Sequence, residues 1–491
     1  MITPRMHGGI RAAVLYGSAA LGVLAIHLAT NGTLGFHTDE LYYLDAGRHA
    51  AFGYVDFPPI VPLLARLETG LLGISPWNLR VLPTLIGAGM VVMSGLYVRR
   101  LGGSLRLQAL ALLIAATAPY FLGANWVYQT VTFDEATWMV SLYWFLCLIQ
   151  EGRPRYWIFL GVSLGIALEV KFTVIALIAV MALAVLVTTS LRSQLRSRYP
   201  WLGAGVALLI WLPNLIWQIS NGFPTLTYIA NHGASGGGLV SNLVLLVVYL
   251  FFVLPVWIAG LTSLWRDPRL RAAAIVCIVP IVLFLFIGKI YYAVGTVPLA
   301  IAQGLIAVSR VRRPRVRRGF EIAVGIAALL QLVVLAQITL PITPASQLHS
   351  KGLDATNELF ADSVGWDAIP GQVITIYNAL PLPDQRNTII VSAYYGVPGA
   401  VWVYGDTNRL PDVVSPQLSD WYWLPREVDA GEALMIDYRP SDVTWMCTSA
   451  KLVGHLTVPY GVEGLEQGAP VTLCHLNAPL TQLWDRLRNF S

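Results

Sequence analysis

The chain has 491 residues, of which 56% are hydrophobic and only 12% charged, against roughly a quarter charged in soluble globular proteins. That excludes a protein whose main solvent is water. The net charge of +5 would suit a nucleic acid, but the basic residues are scattered through short loops between apolar runs, which is a membrane-topology signal.

A bilayer-spanning helix needs about 20 mostly apolar residues, because every backbone amide must be satisfied inside hydrocarbon. In chain order, such runs fall near residues 12–30, 80–98, 105–123, 136–150, 156–173, 174–190, 201–219, 239–264, 272–288, 292–309 and 320–340, eleven in all. The first follows Arg5 and Arg11 and lacks a small-residue cleavage site, so it reads as a membrane helix rather than a signal peptide. Basic residues then mark alternate loops: Arg99, Arg100 and Arg106; Arg153 and Arg155; Arg192, Arg196 and Arg198; Arg266, Arg269 and Arg271; and the run from Arg310 to Arg318. The positive-inside bias therefore predicts a cytoplasmic amino terminus, an external carboxyl terminus and residence in the plasma or inner membrane.

The loop from about residue 31 to 78 falls outside, and within it Phe57 to Leu72 (FPPIVPLLARLETGLL) is too short and too rich in proline to span. Amphipathic helices lying in the interface are expected there. After Pro341 and Pro344 the composition becomes that of a soluble domain, and TIIVSA (388–393) and ALMIDY (433–438) read as strands. The expected fold is a polytopic α-helical membrane protein of about eleven transmembrane helices. Residues 1–340 form the membrane part, including loop 31–78, and 341–491 an extracytoplasmic α/β domain. Cys147 and Cys277 lie in apolar runs. Cys447 and Cys474 lie in the external domain, where a disulfide and two free thiols are both open.

The external loops also hold the chemistry. Asp39 and Glu40 (FHTDELYY) follow the first span, and Asp134 and Glu135 (VTFDEATW) sit at the outer end of the fourth. Ionisable groups at membrane boundaries are costly and are functional candidates by default, although acids also simply favour helix amino termini. Lys171 (LEVKFT) and Lys289 (FIGKIYYAV) interrupt apolar regions at outer helix ends, against the positive-inside pattern. Each either snorkels to headgroups or holds a phosphate as a compact charge. Tyr291 and Tyr292 either belong to an interface belt or flank a sugar. Weaker signals are GASGG (Gly233 to Gly237), which fits a nucleophile pattern without its strand-turn-helix context, the sequon Asn31-Gly-Thr33, and His37, His232 and His475, which lack paired metal-ligand spacing.

Several of these segments carry a family resemblance: HTDELYY, GYVDFPP (Gly53 to Pro59), FDEA (Phe133 to Ala136), VKFT around Lys171, and GKIYYAVGTVPLA (Gly288 to Ala300). In them the chain resembles the protein O-mannosyltransferase-like branch of the glycosyltransferase C superfamily, which includes the aminoarabinose transferases. The tail is similar too, in SAYYGVPGAVWVYG (392–405), SDWYWLP (419–425) and APLTQLWDRLRNF (478–490), but departs at Val397, where an acid often follows the first tyrosine-glycine pair. The resemblance implies an inverting transferase, metal-independent or metal-assisted, that takes sugar from a polyprenyl-phosphate donor on the outer face. The acceptor would be a glycan, a lipid-linked saccharide or a protein hydroxyl. By the same analogy Asp39 is the general base; Glu40 and Asp134 are the other catalytic candidates. Lys171 and Lys289, with Tyr291 and Tyr292, would meet the departing phosphate, and Glu135, Asp56 and Tyr43 would bind substrate.

Such a reaction needs a base at the acceptor hydroxyl and preorganised cations for the leaving phosphate. Glu40, Asp134 and Glu135 have three roles open to them: orienting hydroxyls, assisting the base, or holding a cation such as Mg or Mn. The rival class is a transporter or lipid-linked sugar flippase, which composition suits equally. The halves show no clear repeat, however, and the acids concentrate at the outer boundary. A third class is an inactive scaffold whose external domain binds a partner.

Overall fold

The computed structural model describes residues 4–232, 238–287, 289–405, 409–425 and 430–490. Two compact units make up the chain: Met1–Thr30, Arg80–Ser220 and His232–Leu340 form one; Asn31–Leu79, Asn221–Asn231 and Pro341–Ser491 form the other.

The first unit is helical throughout its apolar runs. Five helices are long and apolar enough to cross a membrane: Gly9–Thr30, Pro76–Arg100, Tyr199–Ser220, Ile290–Ser309 and Pro314–Thr339. Two further pairs of apolar helices are bent sharply at a short break, Val174–Val187 with Thr189–Arg196 at 96° and Leu239–Leu250 with Leu254–Arg266 at 100°. Shorter apolar helices run over Leu105–Ala116, Arg155–Leu168 and Arg271–Ile287, and Thr130–Glu151 carries Asp134 and Glu135 in its first turns. The eleven apolar runs are thus largely helical, although the run over 105–123 is interrupted at Thr117 and Ala118 and the helix in the run over 156–173 ends at Leu168; the straight spans expected over 174–190 and 239–264 are sharply bent at breaks. The second break has a cause in Pro255, which lacks an amide hydrogen and starts a new helix. At the first, extended Thr188 ends the preceding helix.

Lipid tails are as apolar as leucine, so helices must be held together by close packing and hydrogen bonds rather than by water. Both occur. A Cβ on Gly260 would strike the Ala300 carbonyl, and one on Gly304 would strike that of Val256, so Leu254–Arg266 and Val297–Ser309 approach to backbone contact. The Tyr97 hydroxyl donates to the Met139 carbonyl (2.6 Å), Gln331 donates to the Thr117 carbonyl (2.8 Å), and Ser141 to Ser163 (3.1 Å). Leu208, Leu209, Ile216, Val333 and Val334 point outward and exposed, as a lipid-facing surface requires.

The second unit is built on a five-stranded sheet, with β1 Thr388–Ser392, β2 Val413–Val414, β3 Glu432–Ile436, β4 Cys447–His455 and β5 Pro470–Leu476. The order is β2-β1-β3-β5-β4. β1 runs parallel to β2 and β3, and β5 is antiparallel to β3 and β4. β1 and β3 are buried along their whole length, as strands of a parallel pair covered on both faces must be. The crossover from β1 to β2 passes through the helix Gly396–Tyr404. The amphipathic helix Leu480–Leu487 closes the core with Leu480, Leu483 and Trp484. Cys447 and Cys474 are disulfide-bonded, joining β4 to β5.

Residues 31–79 share this unit, where the sequence reading attached them to the membrane part. The reason lies in contacts across more than 350 positions: the Val55 amide donates to Ser419 Oγ (2.9 Å) and the Ser419 amide to the Tyr42 hydroxyl (2.9 Å). The stretch 57–72 forms a helix over Ile60–Leu72 that buries Val61, Pro62, Ala65 and Glu68 and leaves Leu63, Leu67 and Leu71 exposed.

Candidate active site

The candidate residues fall into two clusters, one in each unit.

In the sheet-containing unit, Asp39 lies in the first turn of the helix Thr38–Arg48. His37 caps that helix: its Nδ1 accepts the Asp39 amide (3.1 Å), while its own amide donates to Glu40 Oε2 (2.8 Å). Glu40 is fully buried, so the two adjacent acids have parted. Glu40 completes a capping box, and Asp39 is half-exposed. Asp39 Oδ1 accepts a hydrogen bond from the Tyr395 hydroxyl at 2.8 Å. Tyr395 stacks on Tyr42 (4.4 Å, 23°), and the Tyr42 hydroxyl donates to Asp56 Oδ1 (2.9 Å). Tyr43 is buried with its ring edge-on to Phe57 at 5.0 Å. Asp39, Tyr43 and Asp56 therefore share one aromatic-lined neighbourhood.

Two further acids bear on it. Burial, with Glu358 and Asp39 adding like charge, pushes the Asp362 carboxyl up to about 7. Asp420 is 3% exposed and neither of its carboxylate oxygens has a hydrogen-bond partner. Burial, then Asp45 and Asp56, holds it well above the usual carboxylate range. Asp420 and Tyr395 lie in tail segments that carry the family resemblance, but no local pattern in the sequence gives them, or Asp362, a role at this site, because their neighbours are remote along the chain.

In the helical unit, Asp134 and Glu135 are both buried at the start of Thr130–Glu151. Asp134 Oδ2 accepts from the Thr173 hydroxyl (2.6 Å), which ties this helix to the turn carrying Lys171. The Lys171 ammonium stands 4.4 Å from the centroid of the Tyr292 ring, and the Lys289 ammonium 5.9 Å from the same ring. Tyr291 packs edge-on to Tyr292 at 4.6 Å. The segment Ile290–Thr296 is held by its Ile290 amide, which donates to Asn242 (3.0 Å). At Gly295 an added Cβ would come within 3.2 Å of the Glu135 carbonyl, so this segment lies directly on the acid-bearing helix.

Three stretches distant in sequence thus bring Asp134, Lys171, Lys289, Tyr291 and Tyr292 together, with Glu135 on the same helix turn. Asp134 Oδ1, Glu135 Oε2 and the Tyr120 hydroxyl are buried without hydrogen-bond partners, and Tyr120 packs edge-on to Tyr249 at 5.9 Å. Buried polar atoms left unpaired are uncommon, and these oxygens are open to hydrogen bonds from a ligand. Tyr120 and Tyr249 lie in apolar runs, where an aromatic residue carries no signal of its own in the sequence.

His475 pairs with Glu432 (3.0 Å), and the GASGG stretch, the His232 side chain and Gly288 lie outside the described residues. Among the described residues, no three or more His, Cys, Asp or Glu side chains are arranged to hold a metal ion. No step through Mg or Mn is derived.

Comparisons agree with this architecture. Residues 56–217 match the model of the dolichyl-phosphate-mannose-protein mannosyltransferase family. The fold is similar to that of ArnT from Cupriavidus metallidurans in the apo state, with a TM-score of 0.59 at 17% identity over 94% of this chain and 98% of that one. ArnT of the same organism bound to undecaprenyl phosphate gives a TM-score of 0.59 at 17% identity, over 95% of this chain and 98% of that one. No curated protein matches the chain in sequence. The chain is thus similar in fold to ArnT and, over residues 56–217, similar to that mannosyltransferase family.

Proposed function

We propose that the protein moves a sugar from a polyprenyl-phosphate carrier to an acceptor hydroxyl, with inversion, at the extracytoplasmic face of the plasma or inner membrane. The observation that carries this reading is the pair of lysines, Lys171 and Lys289, facing one tyrosine ring beside buried acids in a membrane helix unit. Two ammoniums at one ring can meet an anion, and the leaving group of such a transfer is a phosphate monoester. The undecaprenyl phosphate bound by the Cupriavidus ArnT supports a polyprenyl phosphate as that anion.

In the step itself the acceptor oxygen attacks the anomeric carbon, and the bond from that carbon to the phosphate oxygen breaks. The bonding pair leaves with the phosphate, where Lys171 and Lys289 stabilise the growing charge. The acceptor proton passes to Asp39, whose half-exposed carboxylate suits a general base. Asp134 and Glu135 accept sugar hydroxyls through their unpaired oxygens, Tyr291 and Tyr292 line the phosphate site, and Asp56 and Tyr43 shape the surroundings of the base. The carrier's isoprenoid tail stays in the bilayer, which explains why the catalyst is a helix bundle.

The test is purified protein in detergent with a panel of undecaprenyl-phosphate-linked hexoses and pentoses, read by mass as release of undecaprenyl phosphate. Acceptor-dependent release is expected. No release from any donor, together with movement of the labelled donor across sealed vesicles, would replace this reading by a flippase.

A further inference from the structure

Resting on the proposed role of Asp39, we infer that Tyr395, contributed by the carboxyl-terminal segment, is a positioning residue for the reaction: it anchors one oxygen of Asp39 so that the other faces the acceptor. Among the described residues Asp39 has one side-chain partner, the Tyr395 hydroxyl on Oδ1 at 2.8 Å. Oδ2 has none, and the side chain is half-exposed. A carboxylate turns easily about its last torsion, which is broad and two-fold. A base that must keep one lone pair on an incoming hydroxyl loses rate when that torsion is free. One hydrogen bond to Oδ1 removes the freedom and leaves Oδ2 available.

The donor is itself held from several sides. Its amide donates to Gln417 Oε1 (3.2 Å), and its ring stacks on Tyr42, which is fixed in turn by Asp56 and by the Ser419 amide. The helix that follows, Gly396–Tyr404, lies on the helix of Asp39 without room for side chains. A Cβ on Gly396 would come within 2.7 Å of Thr38 Oγ1, and one on Gly399 within 2.8 Å of the Leu41 carbonyl. The charged groups around the pair are Asp362, which feels both Asp39 and Glu358, Asp56, which bears on Tyr395, and Glu40, whose carboxylate caps the same helix. Burial and the Asp39 charge keep the Tyr395 phenol protonated and therefore a donor.

Tyr395→Phe tests the inference, because it keeps the stacked ring and removes only the hydroxyl. In purified enzyme, with the undecaprenyl-phosphate-linked sugar that the wild type turns over, kcat should fall about 10- to 100-fold, the size expected for one hydrogen bond to a charged group. KM for donor and acceptor and the melting temperature should stay at wild-type values. Gly399→Ala, which pushes the two helices apart, should lower the melting temperature and so shows what a merely structural fault looks like. A kcat within about twofold of wild type for Tyr395→Phe, while Asp39→Asn is inactive, would overturn the positioning role alone. A raised KM at unchanged kcat would overturn it too, by making Tyr395 a substrate contact. Normal turnover by Asp39→Asn would instead remove the base reading on which the inference stands.

Discussion

Lys289→Ala and Lys171→Ala offer the sharpest test of the phosphate site. Both ammoniums address the ring of Tyr292, at 5.9 and 4.4 Å from its centroid, so a phosphate between them would meet each as a close charge. An ammonium and a phosphate oxygen about 4 Å apart attract by roughly 4 kcal/mol at an effective dielectric of about 20. Desolvating both groups returns part of this, leaving about 1.5 to 3 kcal/mol for a charge-assisted hydrogen bond. Each alanine variant should therefore weaken binding of undecaprenyl phosphate about 10- to 100-fold. The double variant should lose less than the product of the two, because the remaining lysine can recentre on the shared ring. Tyr292→Phe keeps the ring face that both cations address and should bind nearly as wild type. The assay is a titration of purified protein with undecaprenyl phosphate in detergent, followed by intrinsic fluorescence or calorimetry. Unchanged affinity in both single variants would refute the assignment and leave the lysines as headgroup anchors.

Two further expectations concern Glu40 and pH. Glu40→Ala removes half of the capping box on the helix of Asp39, which should cost about 1 kcal/mol of stability and lower the melting temperature, while each folded molecule keeps most of its turnover. Loss of turnover at unchanged stability would return Glu40 to a chemical role. Asp362 and Glu466 are raised by burial to about 7 and about 8. Carboxyls raised on folding bind protons more tightly in the folded state, so their contribution is fully present below their unfolded values and is lost as pH rises through their folded ones. Thermal unfolding should accordingly show stability falling between about pH 4 and pH 8. Asp362→Asn should flatten that slope, and an unaltered slope would show that the group does not titrate there.

The membrane part was largely legible because a bilayer imposes length and apolarity on any helix that crosses it, and both can be read residue by residue. The breaks in two spans were harder to see. Residues 239–264 are apolar apart from Ser241, Asn242, Thr262 and Ser263, and Pro255 reads as tolerable inside a span until the helix is seen to restart there. β1 and β3 stood out as short β-branched and aliphatic runs between turn residues. The wiring among the candidate site residues was opaque in the sequence. Asp39 and Glu40 look alike in sequence, although a His37 to Glu40 spacing is that of a capping box and could have separated them. The bond from Tyr395 to Asp39 spans 356 positions, and no local pattern announces it. Lys171 and Lys289 looked like two isolated exceptions to the charge pattern. Their common partner, Tyr292, makes them a pair.

The most direct test of the central claim is turnover by purified Asp39→Asn, measured beside wild type as release of undecaprenyl phosphate from an undecaprenyl-phosphate-linked sugar. The account predicts that the variant still binds undecaprenyl phosphate and melts as wild type, while turnover falls about 100- to 10,000-fold, the contribution of a general base. Turnover close to wild type would contradict it.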